Sequence, residues 1–326
     1  MPRPPAPLPA TFPWNVFTRT EATRAGISVE RLRRADLRRL RHGLFSRTAA
    51  ELTELDIASA LCRADPDAAV VGLSSARIQA LPLPRHLEQW SEGAPVHVSL
   101  PQGRRTTDRA ISRHALVLGP RDLRVASFVH PASDASDPDR LVLPLRLATR
   151  ARTWRDLARD LSHSRLVAIG DHLVRRPRPD FEFGRSEPWC SLEDLALQCT
   201  GRHAGFLRAA LQDVRVGADS PRETLLRLAF AEAGLPEPEI NVPLVGADGR
   251  SRHTPDFQWP AHRIAAEYDG RSHSEPDQVK RDIARARRVR DAGWTEVRLF
   301  AADAEDGCAG AVHQVRHELR AKGWVP

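Results

Sequence analysis

The stretch TPDFQWPAHRIAAEYDGRSH, residues 254–273, determines how the C-terminal part of this chain is expected to fold. Phe257-Gln258-Trp259 and Arg263 to Tyr268 are predicted as two β-strands, because aromatic and aliphatic residues dominate both runs. Pro260-Ala261-His262 separates them and has the composition of a tight turn. The stretch therefore predicts a β-hairpin.

Side-chain parity limits how this hairpin can pair. A turn with an even number of residues places Phe257 opposite Ala266 and Trp259 opposite Ile264, so that one face of the hairpin is apolar. A turn with an odd number places both aromatic side chains on the same face as the nearby carboxylates. Burial of the aromatic residues favours the first register.

In the favoured register, Asp256 faces Glu267, and Asp269 follows two residues further along the same face. Carboxylates held together repel each other, and a bound divalent cation offsets the repulsion. Oxygen ligands favour Mg²⁺ or Mn²⁺, so these residues predict a metal site that would activate water and steady the charge of a phosphate. The alternatives are solvent-facing carboxylates on an edge strand and, for Asp269-Gly270, a turn.

Two residues near the hairpin are further catalytic candidates. His273 has the chemistry of a general acid or base, or of a phosphate contact, but is equally a surface histidine. Glu223 stands three residues after Ser220, a spacing that a helix-capping box explains without catalysis.

Residues 274–291 are predicted as a helix whose apolar residues lie on one side and whose basic residues lie on the other. The basic face beside the acidic hairpin fits a polyanionic substrate, although a solvated surface explains any single arginine. The basic residues are Lys280, Arg281, Arg285, Arg287 and Arg288. Asp282 lies among them and is expected to orient a basic side chain.

Arginine supplies nearly all of the positive charge of the 326-residue chain, whose formal net charge is +7. Lysine occurs only at Lys280 and Lys322. Arginine makes bidentate contacts with phosphate, but GC-rich coding also replaces lysine with arginine. The composition is therefore compatible with a polyanionic partner without requiring one.

The remaining composition predicts a cytoplasmic protein. The four cysteines are scattered without a C-x-x-C pair or zinc spacing, and we expect them to be reduced. The sequence has no run of eighteen apolar residues and no signal peptide, and residues 1–16 are predicted to be a disordered, proline-rich leader. We expect no membrane contact and no small-molecule cofactor, and the oligomeric state stays open.

Residues 17–48 are predicted to form a winged helix-turn-helix. A short helix ends at Gly26, and VERLRRADLRRLRHG predicts a second helix that ends at Gly43. Leu44-Phe45-Ser46 is the expected wing strand. The second helix would present Arg34, Arg38 and Arg41 to DNA, and the alternative is a solvated arginine-rich face.

Two further regions complete an α/β (α+β) fold. Residues 49–218 are predicted as a mixed α/β and then helical domain, with helices at 54–64, 73–80, 146–176 and 191–213, strands at 95–100 and 114–118, and a loop at 176–187. Residues 219–326 are predicted as a sheet flanked by helices. Its elements are a helix from Ser220 to Gly234, an extended stretch at 241–245, a turn at Asp248-Gly249, the hairpin, the helix at 274–291, a strand at 295–300 and a helical tail.

Residues 220–300 resemble the Vsr-like domain of very-short-patch repair endonucleases, a branch of the PD-(D/E)xK nuclease superfamily. The matching blocks are SPRETLLRLAFAEAGLPEPEINVPL, TPDFQWP, EYDGRSH and KRDIARARRVRDAGW. The resemblance implies a restriction-endonuclease-like fold and Mg²⁺-dependent phosphodiester hydrolysis. It also implies that Asp256 is the central metal ligand and that Glu223 is the acid on the first helix. Asp269, Tyr268 and Asp282 match the family's histidine, threonine and later acid.

Two departures from the family pattern bear on activity. The superfamily's lysine, two residues past Glu267, is absent, because Asp269 stands there. Either Lys280 or His273 takes that role, or the site cuts slowly or not at all. The zinc-binding Cys/His set of the mismatch-repair enzymes also has no counterpart, which argues against T:G mismatch repair.

Residues 17 to about 175 resemble AbiEi-type antitoxin and transcriptional-regulator proteins, which combine a winged helix with a mixed α/β domain. The similar segments include FTRTEATRAGISVERLRRADLRRLRHGLFSRT, VHVSLPQGRR and ATRARTWRDLA. This resemblance implies DNA as the partner. The two resemblances together predict a metal-dependent DNA endonuclease, with a non-catalytic DNA-binding regulator or an RNA-cleaving toxin as alternatives.

Overall fold

The structure, a computed structural model, describes residues 6–9, 12–41, 43–100, 110–130, 141–178, 182, 185–246, 249, 251–269 and 286–326, excepting the side chains of 251 and 252. The chain divides into two compact units, Met1–Arg159 and Asp160–Pro326. Each unit combines helices with β-sheet, which confirms the predicted α/β mixed fold class. The boundary predicted between residues 218 and 219 lies inside the second unit.

The first unit begins with a three-stranded antiparallel sheet in the order β1-β3-β2. Thr18 caps the first helix through a capping box with Glu21, as the sequence predicts a helix there. Phe12 is buried and packs edge-on against Phe17 at 4.9 Å, so the predicted disorder of the leader does not extend to Phe12. The elements are β1 (Val16–Thr18), α1 (Arg19–Arg24), β2 (Leu37–Arg41) and β3 (Leu44–Arg47).

The predicted second helix of a helix-turn-helix is wrong. In its place, Arg31–Arg33 form a 3-10 turn. The guanidinium group of Arg31 donates two hydrogen bonds to the carboxylate of Asp36, at 2.8 and 2.6 Å. The chain then enters β2, turns at Gly43, whose φ is +76°, and pairs with β3. Strand pairing and burial of Leu37 override the arginine-rich helical pattern, since Asp36 is a poor helix former. The predicted wing strand at Leu44-Phe45-Ser46 is confirmed.

This correction changes where the predicted DNA-contacting arginines lie. Arg34 follows the 3-10 turn in an extended conformation. Arg38 and Arg41 lie on β2, at the edge of the small sheet. Arg38 hydrogen-bonds to Ser46 at 3.2 Å and forms a 2.6 Å ion pair with Glu92. The three arginines therefore do not form one face of a recognition helix.

The rest of the first unit is a five-stranded mixed sheet in the order β6-β5-β4-β8-β7, with helices packed against it. The predicted helices at 54–64 and 73–80 and the strand at 95–100 are confirmed. The strand predicted at 114–118 instead ends at His114. The elements are α2 (Glu54–Ala64), β4 (Ala69–Val70), α3 (Gly72–Ile78), α4 (Arg85–Glu88), β5 (Val96–Ser99), β6 (Ile111–His114), β7 (Leu123–Val129), β8 (Val142–Ala148) and α5 (Arg150–Asp156), with 3-10 turns at Pro120–Asp122 and Leu157–Arg159.

The helical prediction over 146–176 is confirmed for α5 and for the helix at His163–Val174, but it is wrong for residues 146–148. Residues 146–148 end β8, which pairs with β7 on one side and with β4 on the other. Thr149 then caps α5 by accepting a hydrogen bond from the Arg152 N–H. Ser162 is the N-cap of a separate helix that begins at His163. The two cap residues interrupt a stretch whose apolar spacing is otherwise helical.

The second unit packs helices against a four-stranded sheet in the order β14-β13-β12-β9. A two-stranded ribbon, β10-β11, lies apart from it in the hydrogen-bonding pattern. The predicted helices within 191–213, the helix after Ser220 and the strand at 295–300 are confirmed. The elements are α6 (His163–Val174), α7 (Leu192–Leu197), α8 (Ala204–Asp213), α9 (Pro221–Glu232), β9 (Glu239–Ile240), β10 (Leu244–Val245), β11 (Ser251–His253), β12 (Phe257–Trp259), β13 (Ile264–Asp269), β14 (Thr295–Phe300) and α10 (Ala309–Ala321), with 3-10 turns at Pro260–His262, Ala301–Ala304 and Asp306–Cys308. Residues 286–291 are helical, and the rest of the helix predicted at 274–291 lies outside the described residues.

The predicted register of the hairpin is confirmed. Phe257 pairs with Ala266 and Trp259 pairs with Ile264. All four side chains are buried in one apolar cluster, to which α9 and α10 also contribute. The turn comprises the 3-10 segment and Arg263, which adopts a left-handed conformation with φ of +50°.

The opposite face of the hairpin has a smaller core. Ala265 packs there with Leu244, Val289 and Ala292. Leu244 belongs to β10, which pairs with β11. The sequence pattern predicts one extended stretch at 241–245 and misses β11 altogether. No helix in the described ranges has the length and apolar character needed to cross a membrane.

Candidate active site

Asp256 lies just before β12, and residues of two other segments of the second unit donate hydrogen bonds to it. Its Oδ2 accepts a 2.7 Å hydrogen bond from the backbone N–H of Tyr268, on β13. Its main-chain carbonyl accepts a 3.1 Å bond from the N–H of Asn241. One further step along the hairpin register brings Asp256 opposite Glu267, as the sequence predicts.

The environment of Asp256 is strongly acidic. Burial raises the pKa of this carboxyl to about 7, with further contributions from Glu223, Glu267 and Asp219. The hydrogen bond from the Tyr268 N–H acts in the opposite direction and is outweighed. The structure therefore brings the carboxylates of Glu223 and Glu267 close enough to Asp256 to oppose its ionisation.

Glu223 does more than cap its helix. Its backbone N–H donates to Ser220 Oγ at 3.2 Å, which is half of a capping box. Its carboxylate, however, accepts 2.8 Å bonds from the backbone N–H of Asp219 and from the side-chain amide of Asn241. The carboxylate is buried, and burial raises its pKa. The capping interpretation thus explains the backbone of Glu223, and the carboxylate takes part in the site.

Glu267 is held by a residue that the sequence interpretation missed. His253, on β11, contacts Glu267 through Nε2 and Oε1 within hydrogen-bonding distance. Both side chains are partly buried. The only sequence signal for this contact is a histidine three residues before Asp256, in a stretch whose pattern does not predict the strand β11.

Asp269, predicted as a third metal ligand, lies beside the guanidinium group of an arginine. Its Oδ2 lies 3.4 Å from Nη2 of Arg298, on β14. Strand pairing places Arg298 next to Glu267 in register. Within the described ranges, no cluster of three or more His, Cys, Asp or Glu side chains is arranged to hold a metal ion. The acidic core of the site is Asp256 with Glu267, which face each other in the hairpin register, and Glu223 is nearby.

Five of the predicted functional residues lie outside the described part of the chain. They are His273, Lys280, Arg281, Asp282 and Arg285. The predicted DNA contacts Arg34, Arg38 and Arg41 are described, but they belong to the first unit. The site in the second unit thus consists of predicted carboxylates together with His253, Asn241 and Asp219, which sequence reasoning did not find.

No family model matches the chain. It is 33% identical over 162 residues to "Uncharacterized protein MT2308" of Mycobacterium tuberculosis strain CDC 1551 / Oshkosh. "Uncharacterized protein Rv2248" of M. tuberculosis strain H37Rv gives the same identity over the same length. The alignment covers 48% of this chain and 56% of each relative, so the chain spans about half the length of the curated relatives it matches.

Proposed function

We propose that this protein is a Mg²⁺- or Mn²⁺-dependent DNA endonuclease whose site is built on Asp256 and Glu267. The observation that carries the proposal is the placement of Asp256 opposite Glu267 in the hairpin register with Glu223 nearby. Burial, and then the charges of Glu223 and Glu267, raise the pKa of Asp256 to about 7. Acidic clusters that oppose their own ionisation are a feature of functional sites. A hydrolytic site needs such carboxylates at positions fixed by the fold.

The residues fit a hard divalent cation. Mg²⁺ is commonly bound through one or two carboxylates, with water completing its coordination. Asp256 and Glu267 supply that number, and they lie across from each other in the hairpin register. A cation between them would favour the ionised form of Asp256, which burial and then the charges of Glu223 and Glu267 oppose. Glu223 is suited to contact a metal-bound water, in agreement with the resemblance to Vsr-like domains.

The protein's own contribution to hydrolysis would be orientation. The Tyr268 N–H fixes one oxygen of Asp256. His253 holds one oxygen of Glu267. Glu223 is fixed by Asp219 and Asn241. When bound, the metal ion supplies a Lewis acid that lowers the pKa of water and stabilises charge on the phosphate.

A second candidate function is a non-catalytic DNA-binding regulator. Asp269 stands at the position of the superfamily's lysine and lies near Arg298, which favours this alternative. If the site is catalytic, Arg298 would supply the positive charge of the missing lysine, because it lies on the strand next to Glu267. In either case, DNA contacts by the first unit would involve the edge strand β2 and its arginines instead of a recognition helix.

Plasmid cleavage distinguishes the two functions. Supercoiled DNA is incubated with the full chain and Mg²⁺, Mn²⁺ or EDTA, and Asp256→Asn, Glu267→Gln and Glu237→Gln are tested alongside. Glu237 forms an exposed ion pair with Arg215, so its variant controls for loss of one negative charge. We expect metal-dependent nicking or cutting that both site variants lose and the control retains.

Two results would contradict the proposed nuclease function. Metal-independent duplex binding without cutting would support the regulator. Cleavage that persists in Asp256→Asn would exclude this site as its source. A parallel incubation with total RNA tests the toxin alternative, which predicts that RNA is cut and plasmid is not.

A further inference from the structure

Asn241 adopts a backbone conformation that few residues tolerate. Its φ is +52°, in the left-handed region, where asparagine is enriched among non-glycine residues. The residue follows β9 directly, and its N–H donates to the main-chain carbonyl of Asp256 at 3.1 Å. The backbone of Asn241 is therefore fixed to the segment that carries the central carboxylate.

The side-chain amide of Asn241 is fully engaged, and its orientation follows from its partners. Arg178 Nη2 lies 2.6 Å from Oδ1, and a guanidinium only donates hydrogen bonds, so the amide oxygen must face Arg178. The nitrogen then faces the other way. It donates at 2.8 Å to Glu223 Oε2 and at 2.8 Å to the carbonyl of Gly217. Both amide hydrogens thus have acceptors.

One residue consequently connects two chain segments that are distant in sequence. Its backbone contacts Asp256, and its amide contacts the carboxylate of Glu223 on α9. Glu223 is buried, so a lost donor would leave a buried carboxylate with fewer hydrogen bonds. An aspartate at this position would replace the donor with a second negative charge.

We infer that Asn241 is a positioning residue that holds the Glu223 carboxylate beside Asp256 in the proposed site. The inference rests on the proposed nuclease function and deepens it. Asn241 does not touch substrate in this account. It acts through Glu223, which would contact the cation through water. Loss of a hydrogen-bond partner that orients the residues around a metal reduces metal affinity or activity by about 10–100-fold.

The test uses the full chain and two readouts, Mn²⁺ affinity by isothermal titration calorimetry and plasmid cleavage resolved into kcat and KM. Asn241→Gly keeps the left-handed backbone and its bond to Asp256 but removes the amide. Asn241→Asp keeps the shape but removes the donor. Asp306→Gly is the matched control, because Asp306 has a φ of +45° in the same unit and is exposed.

We expect both Asn241 variants to bind Mn²⁺ about tenfold or more weakly and to lose kcat with KM for DNA retained, and the control to match the wild type. Arg178→Gln, which removes the partner that orients the amide, gives a smaller loss in the same direction and serves if either Asn241 variant does not fold. If a folded Asn241 or Arg178 variant keeps the wild-type Mn²⁺ affinity and kcat, the inference about Asn241 is wrong and the proposed function is unaffected. Absence of Mn²⁺ binding and cleavage in the wild type would overturn the proposed function with it.

Discussion

The backbone N–H of Tyr268 donates a 2.7 Å hydrogen bond to Oδ2 of Asp256. This bond joins the two strands of the hairpin at the end where the acidic side chains lie. It fixes one oxygen of the Asp256 side chain. Burial, together with the carboxylates of Glu223 and Glu267, opposes the ionisation of this side chain. A carboxyl group held in this way has consequences for stability that can be measured without a substrate.

Asp256 is expected to make the protein less stable as the pH rises. Its pKa is raised from 3.8 to about 7 on folding, so between these values the folded chain binds more protons than the unfolded chain. The free energy of unfolding therefore falls with rising pH, by up to about 1.4 kcal/mol per pH unit from this group. Urea denaturation between pH 4.5 and 7, in EDTA, measures the effect. Asp256→Asn should remove part of the slope, and equal slopes in variant and wild type would contradict the pKa shift.

Asp269 is expected to contribute less to metal binding than the two central carboxylates. Its carboxylate lies 3.4 Å from Nη2 of Arg298, whose positive charge already offsets the negative charge of Asp269. Mn²⁺ titration should show Asp269→Asn within about threefold of the wild type, whereas Asp256→Asn and Glu267→Gln lose about tenfold or more. A loss in Asp269→Asn equal to that in Asp256→Asn would restore the three-carboxylate site predicted from the sequence.

Phe230 is expected to be a main determinant of the stability of the second unit. It is fully buried, and its ring lies 5.5 Å from Phe257 and 5.6 Å from Trp259 in edge-on geometry. Phe230→Ala should lower the free energy of unfolding by about 3–5 kcal/mol, because it removes a buried aromatic ring and leaves a cavity. Denaturant unfolding provides the measurement. Phe300→Ala is the control, since Phe300 is 48% exposed, and a similar loss in both variants would refute the packing argument.

His97, in the first unit, is expected to stay neutral at unusually low pH. Burial, aided by the nearby His114, Arg77 and Arg159, lowers its pKa to about 4. The unfolded chain binds this proton near pH 6.5, so the stabilising contribution is present above that pH and is lost as the pH falls towards 4. NMR titration of the His97 ring should show the low value, and His114→Gln should raise it in part. A wild-type titration near pH 6.5 would contradict the prediction.

The hairpin register could be predicted because parity and burial give the same answer. Phe257 and Trp259 are large apolar residues whose burial selects one of two faces, and a one-residue slip would expose both. The same reasoning places Asp256 opposite Glu267. Here the local pattern and the tertiary packing agree, so the sequence is sufficient.

The N-terminal helix prediction failed because tertiary pairing outweighed the local pattern. Residues 29–42 are rich in arginine and leucine, which favour helix, but Leu37 and its neighbours pair with β3 across the turn at Gly43. Helical propensities amount to fractions of a kcal/mol per residue, whereas pairing and burial of Leu37 act together. A pattern read within one segment does not contain its partner strand.

The contacts of the site could not be predicted for a related reason. Asn241 and His253 reach Glu223 and Glu267 across 18 and 14 residues of sequence, respectively. Neither side chain belongs to a spacing motif, and the strand that carries His253 was not recognised. The acidic residues were found from their chemistry, and the residues that hold them became apparent only in the folded chain.

The proposed metal site is tested most directly by an anomalous-scattering map from crystals of the full chain soaked in Mn²⁺. We expect an anomalous peak in direct contact with carboxylate oxygens of both Asp256 and Glu267, absent from crystals of Asp256→Asn. Soaked crystals with no peak at these residues, or with Mn²⁺ bound only elsewhere, would contradict the proposed site.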